Sequence, residues 1–150
     1  MKPSEKIIDF IAREEGFRQT AYKPLPTDRY TIGYGSTYID NIPVKQGDII
    51  TEEKAHEQLK KAVNVISAGL NRKLDGSIVM TQYQYDAVIS LIYNIGLRAF
   101  LLSATGEEFR RGVNIAHKFS CWVFSGGKMI PGLMDRRQRE AKIYGFGVYQ

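Results

Sequence analysis

The sequence predicts an α+β fold, with a small antiparallel β lobe inserted between an N-terminal helix and a larger helical lobe. Three observations predict it. Apolar residues near the start repeat at helical spacing. Between residues 17 and 50, prolines and glycines punctuate short runs rich in tyrosine, threonine and isoleucine. From residue 51 onward, helix-capping signals and helical spacing return.

Taken in order, residues 4–15 read as a helix. Ser4 stands at the cap position, and Ile7, Ile8, Phe10 and Ile11 recur near helical spacing. Gly16 follows Glu14 and Glu15 and supplies the stop. Glu15 therefore ends a helix, where its charge faces the negative end of the helix dipole. A carboxylate in so unfavourable a place invites a functional reading. Residues 17–50 carry Pro24, Pro26, Gly33, Gly35, Pro43 and Gly47 among the strand formers Tyr30, Thr31, Ile32, Tyr34, Thr37, Tyr38 and Ile39, and predict two or three short strands. Thr51 caps a helix that opens with Glu52 and Glu53 and runs to about Asn71, with His56, Leu59 and Val63 on one face. Thr81 and Gln84 form a capping box ahead of the run Tyr85 to Ile95. Shorter helices are expected over 104–111, 113–124 and 133–144, with Gly126–Gly127 and Pro131–Gly132 as breaks between the last two. The organisation expected is a single domain over 1–150, with a β lobe at about 17–50, a helical lobe at about 51–150 joined by helix 4–15, and a cleft between lobes for an elongated substrate.

Composition narrows the function classes. A chain of 150 residues suits one domain or two small lobes sharing a core. The net charge of +5 favours acidic partners, among them nucleic acid, anionic lipid and the polyanionic bacterial envelope; a solvated basic surface that aids solubility accounts for it equally well. Lysine and arginine are scattered and no groove-reading motif is present, so a nucleic-acid binder is not expected. Cys121 is the only cysteine, which excludes an intramolecular disulfide and fits folding in a reducing cytosol. Its neighbours Phe119, Trp122, Val123 and Phe124 predict a small buried thiol rather than a nucleophile, and Trp122 itself reads as core. His56 and His117 lie far apart without ligand spacing, so neither a metal nor a cofactor is expected. Gly33 and Gly35 do not make a phosphate loop, since no Gly-Lys-Ser/Thr follows and no helix opens there. No apolar stretch is of bilayer length, and the segment after Met1 is not an apolar signal, so stable membrane insertion is not expected; a removed leader on a longer precursor also fits.

The informative stretches are Glu15-Gly16-Phe17-Arg18-Gln19-Thr20-Ala21-Tyr22-Lys23 and Asp28-Arg29-Tyr30-Thr31-Ile32-Gly33-Tyr34-Gly35-Ser36-Thr37. They are followed by Leu91-Ile92-Tyr93-Asn94-Ile95-Gly96, Phe100, Trp122, Gly126-Gly127-Lys128 and Gly132-Leu133-Met134-Asp135-Arg136-Arg137-Gln138-Arg139-Glu140. In this order they resemble the phage-type lysozyme (endolysin) family of glycoside hydrolases across nearly the whole chain. The resemblance implies a lysozyme-like fold. It also implies hydrolysis of the β-1,4 bond between N-acetylmuramic acid and N-acetylglucosamine in peptidoglycan, with inversion, for lysis of a bacterial host. It implies no cofactor. It further implies synthesis in the host cytoplasm, action on the wall in the periplasm, dependence on a separate membrane-permeabilising protein (a holin), and a monomer as sufficient for the chemistry.

By the same resemblance Glu15 is the general acid, and Thr31 together with a second acidic group positions a water for attack on the anomeric carbon, with Arg136 orienting the Glu15 carboxyl and Arg137 as the alternative. Glycosidic cleavage needs a protonated carboxyl to donate to the leaving oxygen, and the end of a helix is a place where an anion is disfavoured. The sequence departs from the family at Pro24, where an acidic or thiol side chain is usual. Asp28 is the only acid between Glu15 and Thr31, and two readings of it stay open. It replaces the missing group, since inverting chemistry needs a base across the sugar ring from the acid, or it shapes the Pro26-Thr27-Asp28-Arg29 turn. Tyr22, Tyr34, Gly35 and Ser36 are the further expected substrate-binding residues, although Gly33 and Gly35 equally suit tight packing or a bulge. A lytic transglycosylase, working with a single Glu, and a peptidoglycan-binding module without catalysis are the competing functions.

Overall fold

The computed structural model describes residues 1–150. Its elements are α1 (Glu5–Glu15), β1 (Arg18–Tyr22), β2 (Thr31–Gly33), β3 (Tyr38–Ile39), β4 (Ile42–Pro43), α2 (Glu52–Asn71), α3 (Gln82–Ile95), α4 (Leu97–Leu102), α5 (Ala104–Arg110), a 3₁₀ helix (Ala116–Cys121), β5 (Phe124–Ser125), β6 (Lys128–Met129) and α6 (Pro131–Phe146). This is an α+β chain, as its sequence predicts. It divides into two compact units, one of residues 1–7 and 64–150, the other of residues 8–63. The division falls inside α1 and α2, so most of α1 and the first part of α2 group with the strands.

The larger unit is organised by α3. From Tyr85 to Ile92 every residue of this helix is buried. A helix without an exposed face must satisfy its polar side chains internally, because an unpaired buried group costs on the order of 1–3 kcal/mol. Each has its partner. Tyr85 donates to Asn71 Oδ1 at 2.8 Å and shares a hydrogen bond with Ser67 Oγ at 2.7 Å, both on α2. Ser90 donates to Glu140 Oε1 on α6 at 2.7 Å. Asp86 accepts from the Ser4 backbone N–H at 3.1 Å, the Ser4 hydroxyl, Gln82 Nε2 at 2.9 Å and the Tyr149 hydroxyl at 2.6 Å. Burial, together with the Asp86 carboxylate, pushes the Tyr149 hydroxyl far above its ordinary pKa. The helix begins with the expected capping box, Thr81 Oγ1 accepting from Gln84 N and Gln84 Oε1 from Thr81 N.

The smaller unit holds four short strands in two separate antiparallel pairs, β1 with β2 and β3 with β4. The β3–β4 turn uses Asp40 and Asn41 at positive φ, a conformation these two residues tolerate. Its carboxylate is gripped by α2. Lys54 and Lys61 lie at 2.9 and 3.2 Å, and Gln58 donates at 2.8 Å. These hydrogen bonds hold Asp40 at a pKa of about 2.

Three expectations are corrected. The segment 113–124 is not an α-helix but a shorter 3₁₀ helix, because Asn114 Oδ1 takes the Ala116 N–H and so diverts the backbone at its start. Its tighter turn sets Phe119 inside and leaves Cys121 exposed rather than buried. The region after residue 51 is not wholly helical either. Gly126 and Gly127, both at positive φ, form the turn of the β5–β6 hairpin. Trp122 is half-buried, its Nε1 donating to Thr105 Oγ1 at 3.3 Å.

Asp86→Ala strands the Ser4, Gln82 and Tyr149 donors. It should lower unfolding free energy by about 3 kcal/mol, read as an earlier urea midpoint with an unchanged slope.

Candidate active site

The smaller unit brings several of the expected site residues onto adjoining elements. Glu15 is the last residue of α1 and is half-buried. Gly16 follows it at φ +70°, its N–H bonded to Ala12 O at 3.0 Å, so the helix ends in the left-handed turn that glycine adopts without strain. The chain then reverses into β1. Opposite it lies β2, with Arg18 facing Gly33 and Tyr22 facing Thr31. Between these two pairs β1 spends more residues than β2, which marks a bulge. The outer edge of β1 is bound elsewhere, through Ala21 N to Asp48 O and Ile50 N to Gln19 O, both at 2.9 Å.

Thr31 is buried at 8 % exposure, and its hydroxyl donates to Arg29 O at 3.2 Å. With that proton committed, the Oγ1 lone pairs are left to accept. Asp28 is exposed. Its Oδ2 accepts from Leu25 N at 3.0 Å while its own N–H donates to Leu25 O at 2.9 Å, closing a turn on both sides. The turn-forming use of Asp28 is therefore present in the structure, and it engages one of the two carboxylate oxygens.

The Thr31–Ser36 motif folds tightly. Ile32 and Ser36 exchange both backbone hydrogen bonds at 2.9 Å, and Gly35 crosses the turn at φ +91°. Gly33 is required for packing. Its φ is +64°, and a Cβ there would meet the Ala55 Cβ of α2 at 2.9 Å. Tyr34, expected to face substrate, is buried. Its ring leans on Phe17 at 5.6 Å and its hydroxyl donates to Glu52 Oε1 at 3.1 Å, so that burial first, and then Glu52, raises its pKa. Gly35 is exposed and Ser36 half-buried.

Tyr22 has a role its sequence did not reveal. The Arg18 guanidinium lies over its ring at 4.7 Å. Lys23 is similarly placed over Tyr30 at 4.8 Å, and Arg29 over Tyr38 at 5.8 Å.

Arg136 and Arg137 belong to the larger unit, on α6, and both are buried there against Glu140. Arg136 Nε reaches Glu140 Oε1 at 3.1 Å, and Arg137 Nε lies 2.6 Å from Oε2. Arg137 also donates to Asn94 Oδ1 at 2.9 Å. Burial pushes the Glu140 carboxyl up, while the two guanidinium groups and Ser90 act against it.

The comparisons with known proteins agree among themselves. The family model for phage lysozyme matches residues 12–140. The endolysin of Bacillus phage PZA is 37% identical over 98% of this chain and 56% of its own length, so the chain spans about half of that relative. Among solved structures, the endolysin from Escherichia coli O157:H7 phage FAHEc1 superposes with a TM-score of 0.87 at 35% identity, covering 100% of this chain and 97% of the other. The muramidase domain of SpmX from Asticaccaulis excentricus gives 0.84 at 29% identity, over 96% and 97% of the two chains. The α+β fold predicted from the sequence is the fold of these neighbours.

The two-sided hydrogen bonding of Asp28 sets its stability effects. Asp28→Asn keeps an acceptor for Leu25 N and should leave the urea midpoint nearly unchanged, whereas Asp28→Ala should cost about 1 kcal/mol.

Proposed function

The chain belongs to the phage lysozyme family, and from that premise we propose that it is an endolysin, a muramidase. It hydrolyses the β-1,4 bond between N-acetylmuramic acid and N-acetylglucosamine in bacterial peptidoglycan. The observation that carries the reading is Glu15 at the end of α1, closed by Gly16 and followed at once by the β1–β2 pair that sets Tyr22 opposite Thr31.

Glu15 gives its proton to the glycosidic oxygen as the bond to the anomeric carbon breaks, so the leaving sugar departs as a neutral alcohol. A water attacks the anomeric carbon from the other face and the configuration inverts. Thr31 accepts a hydrogen bond from that water, since its own proton is used on Arg29 O. Asp28, steadied at Oδ2 by Leu25 N–H, takes the water's proton on its other oxygen. Its place within the turn is compatible with this duty, because an acceptor held at one oxygen is oriented rather than consumed. The family resemblance assigns Arg136 to orient Glu15. In this reading the protein is made in the host cytoplasm and acts on the wall as a monomer after a holin opens the inner membrane.

Glu15→Gln preserves shape and removes the transferable proton, and should reduce lysis of permeabilised Gram-negative cells by at least about a hundredfold. Near-normal lysis by the folded variant would refute the reading. Mass spectrometry of the products distinguishes hydrolysis from transglycosylation by one water. Asp28→Asn should lower turnover strongly with binding intact, because its charge acts in the transition state; full turnover would confine Asp28 to the turn.

A further inference from the structure

Two groups of basic side chains stand out in the smaller unit, apart from Arg29 over Tyr38. Lys54 and Lys61 are neutralised by Asp40 and Glu57. Arg18 and Lys23 are exposed and have no carboxylate partner, and each is held over a tyrosine ring instead. A ring attracts a cation without cancelling its charge. A guanidinium lying over a ring still presents its edge N–H groups, in the fork geometry that matches a carboxylate. The contact also restrains a long side chain in advance, which reduces the entropy lost when a ligand binds. The two rings have a cation on one face, so that face is not open to a sugar. These features suit an anion better than a neutral glycan.

The position is equally specific. Tyr22, the platform for Arg18, is the residue paired across the sheet with Thr31, and Tyr30, the platform for Lys23, directly precedes Thr31. Both cations are thus carried by the neighbours of a proposed catalytic residue. The glycan's N-acetylmuramic acid units bear peptide stems with free carboxylates.

We propose that Arg18 and Lys23, restrained by Tyr22 and Tyr30, form a subsite that binds the carboxylates of these peptide stems. The proposal rests on the muramidase reading and names the part of the substrate, beyond the sugars, that the β1–β2 pair recognises.

The test uses soluble, un-cross-linked peptidoglycan strands in two forms, native and with the stem carboxyls amidated by carbodiimide and ammonia. On native strands, Arg18→Gln and Lys23→Gln should each lower kcat/KM about tenfold, the factor set by one charge-assisted hydrogen bond. Amidation should lower wild-type kcat/KM by more than either single substitution does, and on amidated strands the two variants should match wild type. Lys45→Gln, which removes the same charge from another exposed site, should behave as wild type on both forms. The proposal is overturned if Arg18→Gln and Lys23→Gln cleave native strands as wild type does. It is also overturned if their losses persist undiminished on amidated strands, or if Lys45→Gln loses as much. Wild-type protein that cleaves neither form would instead overturn the muramidase reading itself.

Discussion

The larger unit depends on the burial of α3 over the whole stretch from Tyr85 to Ile92. A helix with one exposed stripe can leave its polar side chains in water; this one cannot. Its tyrosine, aspartate and serine must each be answered by another element, and the answers come from different parts of the chain. Tyr85 is met by α2, Ser90 by Glu140 of α6, and Asp86 by Ser4 and Tyr149. The apolar core accounts for most of the driving force, while these hydrogen bonds select which segments surround the helix. Glu140 passes the constraint onward. Once Ser90 has drawn that carboxylate into the core it needs cations, and Arg136 and Arg137 supply them.

The smaller unit is held differently. Its strands are too short for a stable sheet of their own. They depend on the first part of α2, against which Gly33 packs closely and which binds Asp40 and Tyr34 through Lys54, Lys61, Gln58 and Glu52. The Thr-Ile-Gly-Tyr-Gly motif is accordingly a packing device. Glycine gives close approach to the helix, and the tyrosine ties the turn to the helix's first residue.

Local signals in the sequence were legible where short-range physics decides the outcome. The capping box at Thr81 and Gln84, the Gly16 stop and the boundaries of α2 all follow from backbone groups satisfied within one turn. The position of Glu15 at the end of α1 was legible for the same reason, since Gly16 stops the helix directly after it. The features that escaped depend on distant partners. Gly126–Gly127 marks a break in any reading, and only the pairing of Phe124 with Met129 makes it a hairpin. Cys121 sits in an apolar run, yet the 3₁₀ geometry turns it outward. Tyr34 and Ser36 alternate with glycines in the sequence, and the burial of Tyr34 against Phe17 and Glu52 depends on partners outside the motif. The register shift between Arg18 and Tyr22 is a further such feature, since bulges leave little trace in composition.

The carboxylate of Asp86 binds the Ser4 backbone and hydroxyl on one hand and the Tyr149 hydroxyl on the other, while Lys6 lies over the Tyr149 ring at 5.7 Å. The first and last turns of the chain therefore meet at a single side chain. Two segments far apart along the chain, at Ser4 and at Tyr149, are thus tied through one carboxylate of α3. A single side chain of the buried helix therefore acts as a clasp, and its loss would release both segments at once.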